Sequence, residues 1–304
     1  MKQNTTAKML ALFLTLYMML SLGGVAAFAD EPISGTAKVD TNTGHLELNP
    51  SDQEINTNAS TGQVDLNQGS INLNQGTVGI NHGTVGENAN GGTVSSNGEM
   101  ETGYNIYGNP VNVRVSSGFI QTNNGTVLSN VGNININSGT VFRNERTYVD
   151  TSNGYIAENK GEVTDNDGSI LLNSGTVTNN NQRAEIEKNV KPGSVVYNKG
   201  TITNNDEGKV YGNDGSIDSN SGTVDFNRNY INSNTSMGTV NTNWGQIDYN
   251  HGTVKTNDNY YGNEAIGTNY GTVEVNKGTV NKNENKVGEN SGTVKENNGT
   301  VTTK

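Results

Sequence analysis

Residues 67–85 read NQGSINLNQGTVGINHGTV, which is the seven-residue unit Asn-x-Gly-Thr-Val-x-x written almost three times in succession. Val or Ile returns about every seven residues from Val64 onward, and an Asn usually follows it three positions later. Such a fixed separation indicates that each unit occupies an equivalent place in a stacked coil. The repeat therefore predicts a solenoid, whereas the Asn-rich, weakly hydrophobic composition alone would favour a disordered tract.

The unit divides into a short strand and a corner. Val and Ile, the inner residues, are β-branched and suit a strand in which the preceding Thr and the following residue point outward. The Gly two positions before the inner residue must allow either a positive φ or a close backbone approach.

The Asn of each unit can form a side-chain ladder, because its amide can bond to the same Asn in the coils above and below. The positions predicted to form ladders are Asn67, Asn74, Asn81, Asn123, Asn130, Asn137, Asn159, Asn166, Asn173, Asn220, Asn227, Asn250, Asn276 and Asn290.

The longer links between inner residues favour two units per coil. In a two-sided coil, inner residues alternate between the two sides, so insertions at one corner would lengthen only every second link between them. When the inner residues are numbered in order, the following longer links all fall on the same alternate positions: Ile55 to Val64, Val85 to Val94, Val141 to Val149, Ile186 to Val195, Ile202 to Val210 and Ile231 to Val240. We therefore expect an all-β, parallel β-solenoid (β-roll) with two-sided coils of about 14 residues, inner Val and Ile, and Asn ladders. A triangular coil of about 21 residues is the alternative.

The first 29 residues predict a secretory signal peptide. Lys2 and Lys8 precede an apolar run, Met9 to Leu20, and Ala27-Phe28-Ala29 is a small-x-small cleavage site. The alternative is an uncleaved anchor, but the run is shorter than the ~20 residues that a membrane span needs. We expect cleavage before Asp30 and a secreted, extracellular or cell-surface-associated protein with no membrane span in the mature chain.

The mature chain is predicted to have two parts. In residues 30–61 the seven-residue repeat is weak, and Pro32 and Pro50 occur, so we expect an irregular N-terminal segment or cap there. Residues 62–304 are expected to form the solenoid domain. A second irregular patch is expected from Met100 to Arg114, around Pro110.

Charge and composition exclude several functional classes. The formal net charge of −11 argues against nucleic acid and anionic lipid as partners. The chain has no Cys, so disulfides do not stabilise it. We expect no enzyme activity, cofactor or bound metal, because the three His are far apart and no catalytic constellation is present. The acidic residues between Asp206 and Asp225 leave weak calcium binding open.

Two sets of outward residues are binding candidates. The first set consists of Tyr side chains at the Thr position of the unit, which we expect on one face of the coil: Tyr155, Tyr230 and Tyr260. Exposed aromatic rings can stack on sugars. The alternative is that a half-exposed Tyr only packs against side chains of the neighbouring strands. A column of Thr on one face would resemble the arrays of ice-binding solenoids, although Thr is also a favourable strand residue; its members are Thr223, Thr239, Thr253, Thr279 and Thr293.

Units such as Asn137-Ser-Gly-Thr-Val and Asn290-Ser-Gly-Thr-Val resemble bacterial extracellular β-solenoid repeat proteins. Their period is similar to that of the β-roll heads of trimeric autotransporter adhesins, although that family's coiled-coil stalk and anchor barrel are not seen in this sequence. The resemblance implies a secreted structural or adhesin-like repeat protein that forms an extracellular rod. Self-association end to end, or binding to a glycan or cell-surface component, would fit this role. The alternative is a glycan- or ice-binding module using one flat solenoid face.

Overall fold

The computed structural model describes residues 38–104, 110–116, 118–145, 154–258 and 266–303. The predicted signal peptide, Val149 and Tyr260 lie outside these ranges. Within them the backbone forms short strands joined by tight corners, and a typical strand begins at the Thr of the unit and ends at its Asn.

The structure describes thirty-four strands, numbered in chain order. The first seventeen are β1 Lys38–Asn42, β2 His45–Asn49, β3 Glu54–Asn58, β4 Gln63–Asn67, β5 Ser70–Asn74, β6 Thr77–Asn81, β7 Thr84–Asn88, β8 Thr93–Asn97, β9 Glu99–Tyr104, β10 Pro110–Ser116, β11 Phe119–Asn123, β12 Thr126–Asn130, β13 Asn133–Asn137, β14 Thr140–Asn144, β15 Tyr155–Asn159, β16 Glu162–Asn166 and β17 Ser169–Asn173.

The C-terminal half continues the same pattern. Its strands are β18 Thr176–Asn180, β19 Glu185–Val190, β20 Ser194–Asn198, β21 Thr201–Asp206, β22 Lys209–Asn213, β23 Ser216–Asn220, β24 Thr223–Asn227, β25 Tyr230–Asn234, β26 Thr239–Asn243, β27 Gln246–Asn250, β28 Thr253–Asn257, β29 Ile266–Asn269, β30 Thr272–Asn276, β31 Thr279–Asn283, β32 Lys286–Asn290, β33 Thr293–Asn297 and β34 Thr300–Thr303.

The strands form two parallel sheets. Odd-numbered strands other than β9 make the sixteen-stranded sheet A, and even-numbered strands other than β10 make the sixteen-stranded sheet B. Successive coils stack in register, as where β4 and β6 place Val64 opposite Val78 and Asn67 opposite Asn81. The shortest coils have 14 residues, and corner insertions lengthen others to 15, 16 or more. The two-sided coil is confirmed, and the triangular alternative is excluded.

The core consists of one column of β-branched side chains from each sheet. Sheet A contributes mostly Ile, such as Ile202 and Ile217, and sheet B contributes Val, such as Val210 and Val224, all fully buried. An Ile packed with a Val in most coils keeps the core volume nearly constant along the axis, as close packing requires. This alternation of Ile and Val is visible in the sequence and indicates two units per coil more directly than the longer links do.

A column of buried Asn side chains runs beside each hydrophobic column. Asn67 donates one Nδ2 hydrogen to Oδ1 of Asn81 at 2.6 Å and directs the other at the carbonyl oxygen of Thr84 at 3.3 Å. Its own Oδ1 accepts from Asn49 at 2.6 Å. Using the whole amide in this way offsets the cost of burying a polar group.

The predicted Asn ladders are confirmed, and they are two in number. The predicted members of the sheet A ladder are Asn74, Asn123, Asn137, Asn159, Asn173, Asn220 and Asn250. Those of the sheet B ladder are Asn67, Asn81, Asn130, Asn166, Asn227, Asn276 and Asn290. In both ladders the earlier Asn donates to the later one, because the second amide hydrogen must face a carbonyl of the following coil.

Close stacking explains the Gly of the repeat. A Cβ on Gly83 would lie 2.0 Å from the carbonyl oxygen of Gly69, one coil earlier. That carbonyl accepts the Thr84 N–H at 2.9 Å, so the two corners cannot separate without losing a bond. Among the described glycines only Gly91 and Gly98 have a positive φ. The repeated Gly is therefore needed for the close approach of neighbouring backbones and not for a positive φ.

The solenoid starts earlier than the sequence predicts. The expected irregular segment 30–61 contains, from Lys38 onward, three regular strands. Strand β2 pairs with β4 and places Leu46 opposite Val64. Pro50 lies in a corner, where its missing N–H is not needed by a strand, so it does not interrupt the ladder.

The irregular patch around Pro110 is an antiparallel hairpin of β9 and β10, inserted at one corner. The sheets continue across it, since β8 pairs with β12 and Asn97 donates to Asn130 at 2.8 Å. At the base of the hairpin, Glu99 Oε2 lies 3.0 Å from Nε2 of His82 in the preceding coil. The insertion therefore leaves the coil stack intact.

We expect Asn205→Ala to lower the free energy of unfolding far more than Asn204→Ala. Buried Asn205 accepts from Asn189 at 2.7 Å and donates to Asn220 at 2.6 Å. Its loss leaves two buried amide groups unpaired, at about 1–3 kcal/mol each. The adjacent Asn204 is exposed, and its replacement should change stability by about 0.5 kcal/mol or less. Chemical denaturation compares the two variants, and equal losses would contradict a stabilising role for the ladder.

We expect Gly83→Ala to destabilise the protein by about 1–3 kcal/mol or more, because the new methyl group overlaps a backbone carbonyl that cannot move aside. Gly44 has the same place in the motif, but a Cβ there would meet nothing within 4 Å. Gly44→Ala should be neutral or stabilise by up to about 1 kcal/mol, since it restricts the unfolded chain. Thermal melting of both variants tests this, and similar melting temperatures would show that the corner can expand.

Candidate functional site

The aromatic residues predicted at the Thr position do not form one site. Tyr155 and Tyr230 begin β15 and β25, which are separated by four other strands of sheet A. Tyr230 donates its hydroxyl to Oδ2 of Asp248 at 2.6 Å, and this bond raises the pKa of Tyr230 to about 12. Tyr260 lies outside the described residues.

The predicted Thr column is divided between the two sheets, which corrects the expectation of one face. Three members lie in register on sheet B, and two lie on sheet A; they are Thr223, Thr239 and Thr253 on the first, and Thr279 and Thr293 on the second.

The link from Val254 to Ile266 explains the division. Ile266 pairs with Ile247 in sheet A, so this link is one step from sheet B to sheet A. Counting one unit for every seven residues assigns two units to this link, whereas the structure has only one. The additional unit in the count exchanges the two sheets for every unit that follows the link.

The residues beside the Thr column on sheet B are charged or amide side chains. Asp225 accepts from Asn241 at 2.7 Å and lies 3.2 Å from Lys209 Nζ. Lys255 is exposed on the same sheet. This row is not the flat Thr array that an ice-binding face uses.

Sheet B carries a patch of exposed rings elsewhere on its surface. Tyr197 on β20, Tyr211 on β22 and Phe226 on β24 are 51%, 44% and 43% exposed. Gly212 lies in register between Tyr197 and Phe226, and its missing side chain leaves a notch between them. The three strands enclose a groove of about 540 Å³, here called the ring groove.

Ion pairs hold the polar side chains of the ring groove. Lys209 Nζ lies 3.2 Å from Asp225 and 4.1 Å from the centroid of the Tyr211 ring. The hydrogen bond to Asp225 is the main reason that the pKa of Lys209 is raised. Across the groove, Arg228 lies 3.1 Å from Asp214. Each of these two cations thus has an acidic partner, and the groove presents polar groups without a net charge.

Trp244 extends the aromatic surface by one coil. Trp244, the single Trp of the chain, follows β26, and its ring centroid lies 6.0 Å from that of Phe226 with the two planes tilted by 52°. Aromatic pairs at such distances and tilts attract each other. The contact fixes Trp244 beside the ring groove.

A sequence signal for the ring groove exists, although rings at the Thr position do not reveal it. Three successive sheet B units, Val195-Val-Tyr, Val210-Tyr-Gly and Val224-Asp-Phe, place a ring one or two positions after the inner Val. Those positions point outward on neighbouring coils. The pattern is recognisable only once alternate units are assigned to one sheet.

Three of the acidic residues that left calcium binding open, Asp206, Asp214 and Asp225, are paired with cations. Asp206 lies 3.0 Å from Lys188 and accepts from Ser221 at 3.2 Å, and Asp214 pairs with Arg228. Within the described ranges, no three His, Asp or Glu side chains come close enough together to hold a metal ion.

Glu145 is the one buried acidic residue among those that the structure describes, at 8% exposure. Burial raises the pKa of Glu145 above its ordinary value, although Arg143, whose guanidinium lies 3.2 Å away, acts to lower it. The charged form is therefore disfavoured where it stands, next to the ladder residue Asn144.

No protein-family model, no curated protein and no solved structure matches this chain. The resemblance to adhesin heads thus rests on the repeat and on the β-solenoid architecture. Among the described residues, none forms an apolar helix of membrane-spanning length.

We expect Glu145→Gln to raise the melting temperature at about pH 7 and to have little effect at about pH 3. The pKa of Glu145 is higher in the folded chain than in the unfolded chain. At a pH between these two pKa values the unfolded chain binds fewer protons, so the stability of the folded state falls as the pH rises from the lower pKa to the higher. Removing the charge removes this loss. The control is exposed Glu187→Gln, which should show no such dependence. A greater destabilisation at pH 7 than at pH 3 would show that the Arg143 pair outweighs burial.

Proposed function

We propose that this protein is a secreted bacterial repeat protein that forms an extracellular structural or adhesin-like rod and has no catalytic activity. The observation that supports this most is the pair of unbroken Asn ladders, which run from Asn42 to Asn297 and from Asn49 to Asn290. Each coil is bonded to the next through both backbone and side chains, so the stack should be stiff without disulfides. Sixteen strands at ~4.8 Å each give a length of roughly 75 Å.

The location outside the cell is proposed from the leader sequence. The charged start, the apolar run and the Ala27-Phe28-Ala29 site are typical of export. An acidic, highly polar surface also suits an extracellular protein, since self-repulsion keeps rods dispersed. The adhesin-like part of the proposal is supported by the resemblance in period and by the β-solenoid architecture.

End-to-end association would extend such a rod, and the ladders specify its polarity. At the N-terminal end, the first ladder residues, Asn42 and Asn49, donate to the following coil, so the remaining ladder group of each is its Oδ1 acceptor. The Oδ1 of Asn42 also accepts from the N–H of Gly44 at 3.1 Å, and the Oδ1 of Asn49 is buried and has no partner among the described residues. At the other end of sheet A, Asn297 accepts from Asn283, so the next group in that ladder is a donor amide. In sheet B, Asn290 is followed by β34, which places Thr303 opposite it. Head-to-tail joining places donors against acceptors, whereas tail-to-tail joining places donors against donors. Head-to-tail order is therefore the arrangement that we propose.

Glycan binding is the second candidate function. It is favoured by the exposed rings of the ring groove on sheet B, because large exposed apolar patches on soluble proteins commonly mark binding surfaces. Ice binding has less support, since the Thr residues are divided between two sheets and charged residues stand beside them.

The rod is tested by expressing the full chain in a bacterium and analysing where it goes. We expect exported protein that begins at Asp30, lies at the cell surface or in the medium, and appears in electron micrographs as rods of roughly 75 Å or multiples of that length. Deleting the apolar run Met9 to Leu20 should keep the chain inside the cell. Unprocessed intracellular protein, or compact particles that are not rods, would contradict the proposal.

A further inference from the structure

We propose that the ring groove on sheet B binds a neutral polysaccharide built of hexopyranose units. This inference rests on the glycan-binding candidate and not on the rod. It adds the residues that make the contact and the chemical class of the sugar.

The rings supply the stacking surface that a sugar needs. Tyr197, Tyr211 and Phe226 are each about half exposed and lie on consecutive coils of one sheet. Three large rings side by side in water are costly unless a ligand covers them. The C–H face of a pyranose is apolar and about as wide as an aromatic ring, so it can cover such a surface while its hydroxyls remain at the edge. Tyr is suited to this because it has an apolar body and a polar end.

The notch at Gly212 gives the surface its shape. A Cβ at this position would lie 3.6 Å from a ring carbon of Tyr197 and 3.6 Å from a guanidinium nitrogen of Arg228. The walls of the groove therefore converge on Gly212 at ordinary contact distance. Gly212 is itself buried beneath these neighbours, so a flat ring would rest above it, between Tyr197 on one side and Phe226 on the other.

The polar groups around the rings match hydroxyl groups. Asp225 provides acceptor oxygens and Arg228 provides donors, and each is held in place by its own partner, Lys209 or Asp214. Thr176 and Ser194 add hydroxyls to the lining. A few fixed polar groups among apolar ones are typical of small-molecule sites. Donors and acceptors both occur, as the hydroxyls of a sugar require.

Charge separates a neutral sugar from other ligands. The ion pairs leave no unpaired cation in this groove to hold an anionic polymer, and the chain as a whole carries −11. An acidic polysaccharide would therefore be repelled. An apolar peptide helix would have to cover these ion pairs without replacing their contact with water, which is unfavourable. A sugar chain can bond to them instead.

A polymer fits this surface better than a single sugar. The aromatic residues continue from β20 to Trp244 after β26, and the strands of a sheet are ~4.8 Å apart. The rings thus cover roughly 15 Å along the solenoid axis. A chain lying along this axis would contact several rings in turn, whereas a monosaccharide would reach only one or two.

Binding is tested with chitin and cellulose, with soluble hexasaccharides of each, and with polygalacturonate as the anionic probe. The protein is the full chain without residues 1–29. We expect retention on at least one neutral polymer, competition by its hexasaccharide and no binding to polygalacturonate. Tyr197→Ala and Phe226→Ala should each weaken binding by about tenfold, as for central contact residues of an interface.

Two further variants separate the groove from the surface in general. Gly212→Leu removes no ring but fills the notch, and it should weaken binding as much as the loss of a ring. The matched control is Tyr249→Ala, because Tyr249 is 49% exposed at the corresponding strand position of sheet A. Melting curves check that each variant is folded.

The possible results are distinct. Loss of binding in the groove variants with normal binding by Tyr249→Ala supports the proposal. Binding that survives in Gly212→Leu and in Phe226→Ala, or that falls equally in Tyr249→Ala, overturns the assigned site while leaving glycan binding itself in place. No retention on either neutral polymer overturns the inference and the glycan-binding candidate together. None of these results bears on the rod, which is tested by export and imaging.

Discussion

The buried side-chain amide is the constraint on which this protein depends. One Asn at the end of almost every strand is removed from water, and its cost is met only if another Asn lies at the same place in the next coil. Each ladder Asn therefore specifies its neighbours. Because chains of hydrogen bonds polarise one another, a ladder in which all amides point the same way should be stronger than its separate bonds. This interaction explains how a chain with only two hydrophobic residues per coil in its core stays folded.

The same constraint determines where the chain can vary. The strand length, the inner residue, the Asn and the corner Gly are tied to their counterparts one coil away. In the described ranges, extra residues lie between a ladder Asn and the next strand, as in the hairpin of β9 and β10 between Asn97 and β11. An insertion inside a strand would move every later side chain to the wrong face of its sheet. Corner insertions leave the register unchanged.

Outward positions are free of this constraint, and the candidate site lies there. Tyr197, Gly212 and Phe226 occupy the same position of successive sheet B strands, a position that elsewhere holds residues as different as Ser96, Arg143 and Asp165. Neither the core nor the ladders require rings or a missing side chain at this place. The outward surface can therefore acquire a local function without any change to the stack.

The sequence by itself determined the unit, its short strand and the laddered Asn, because all of these follow from interactions between identical positions, which a repeat displays directly. It favoured a two-sided coil, and the structure excluded the triangular one. Only the tertiary structure decided which sheet each unit joins after the long link from Val254 to Ile266, and it divided the predicted Thr column accordingly. It also showed that the corner Gly serves close stacking and that Tyr197 and Phe226 flank Gly212. The reason is physical: periodicity specifies what happens between equivalent positions, whereas a surface site depends on which different residues stacking brings side by side.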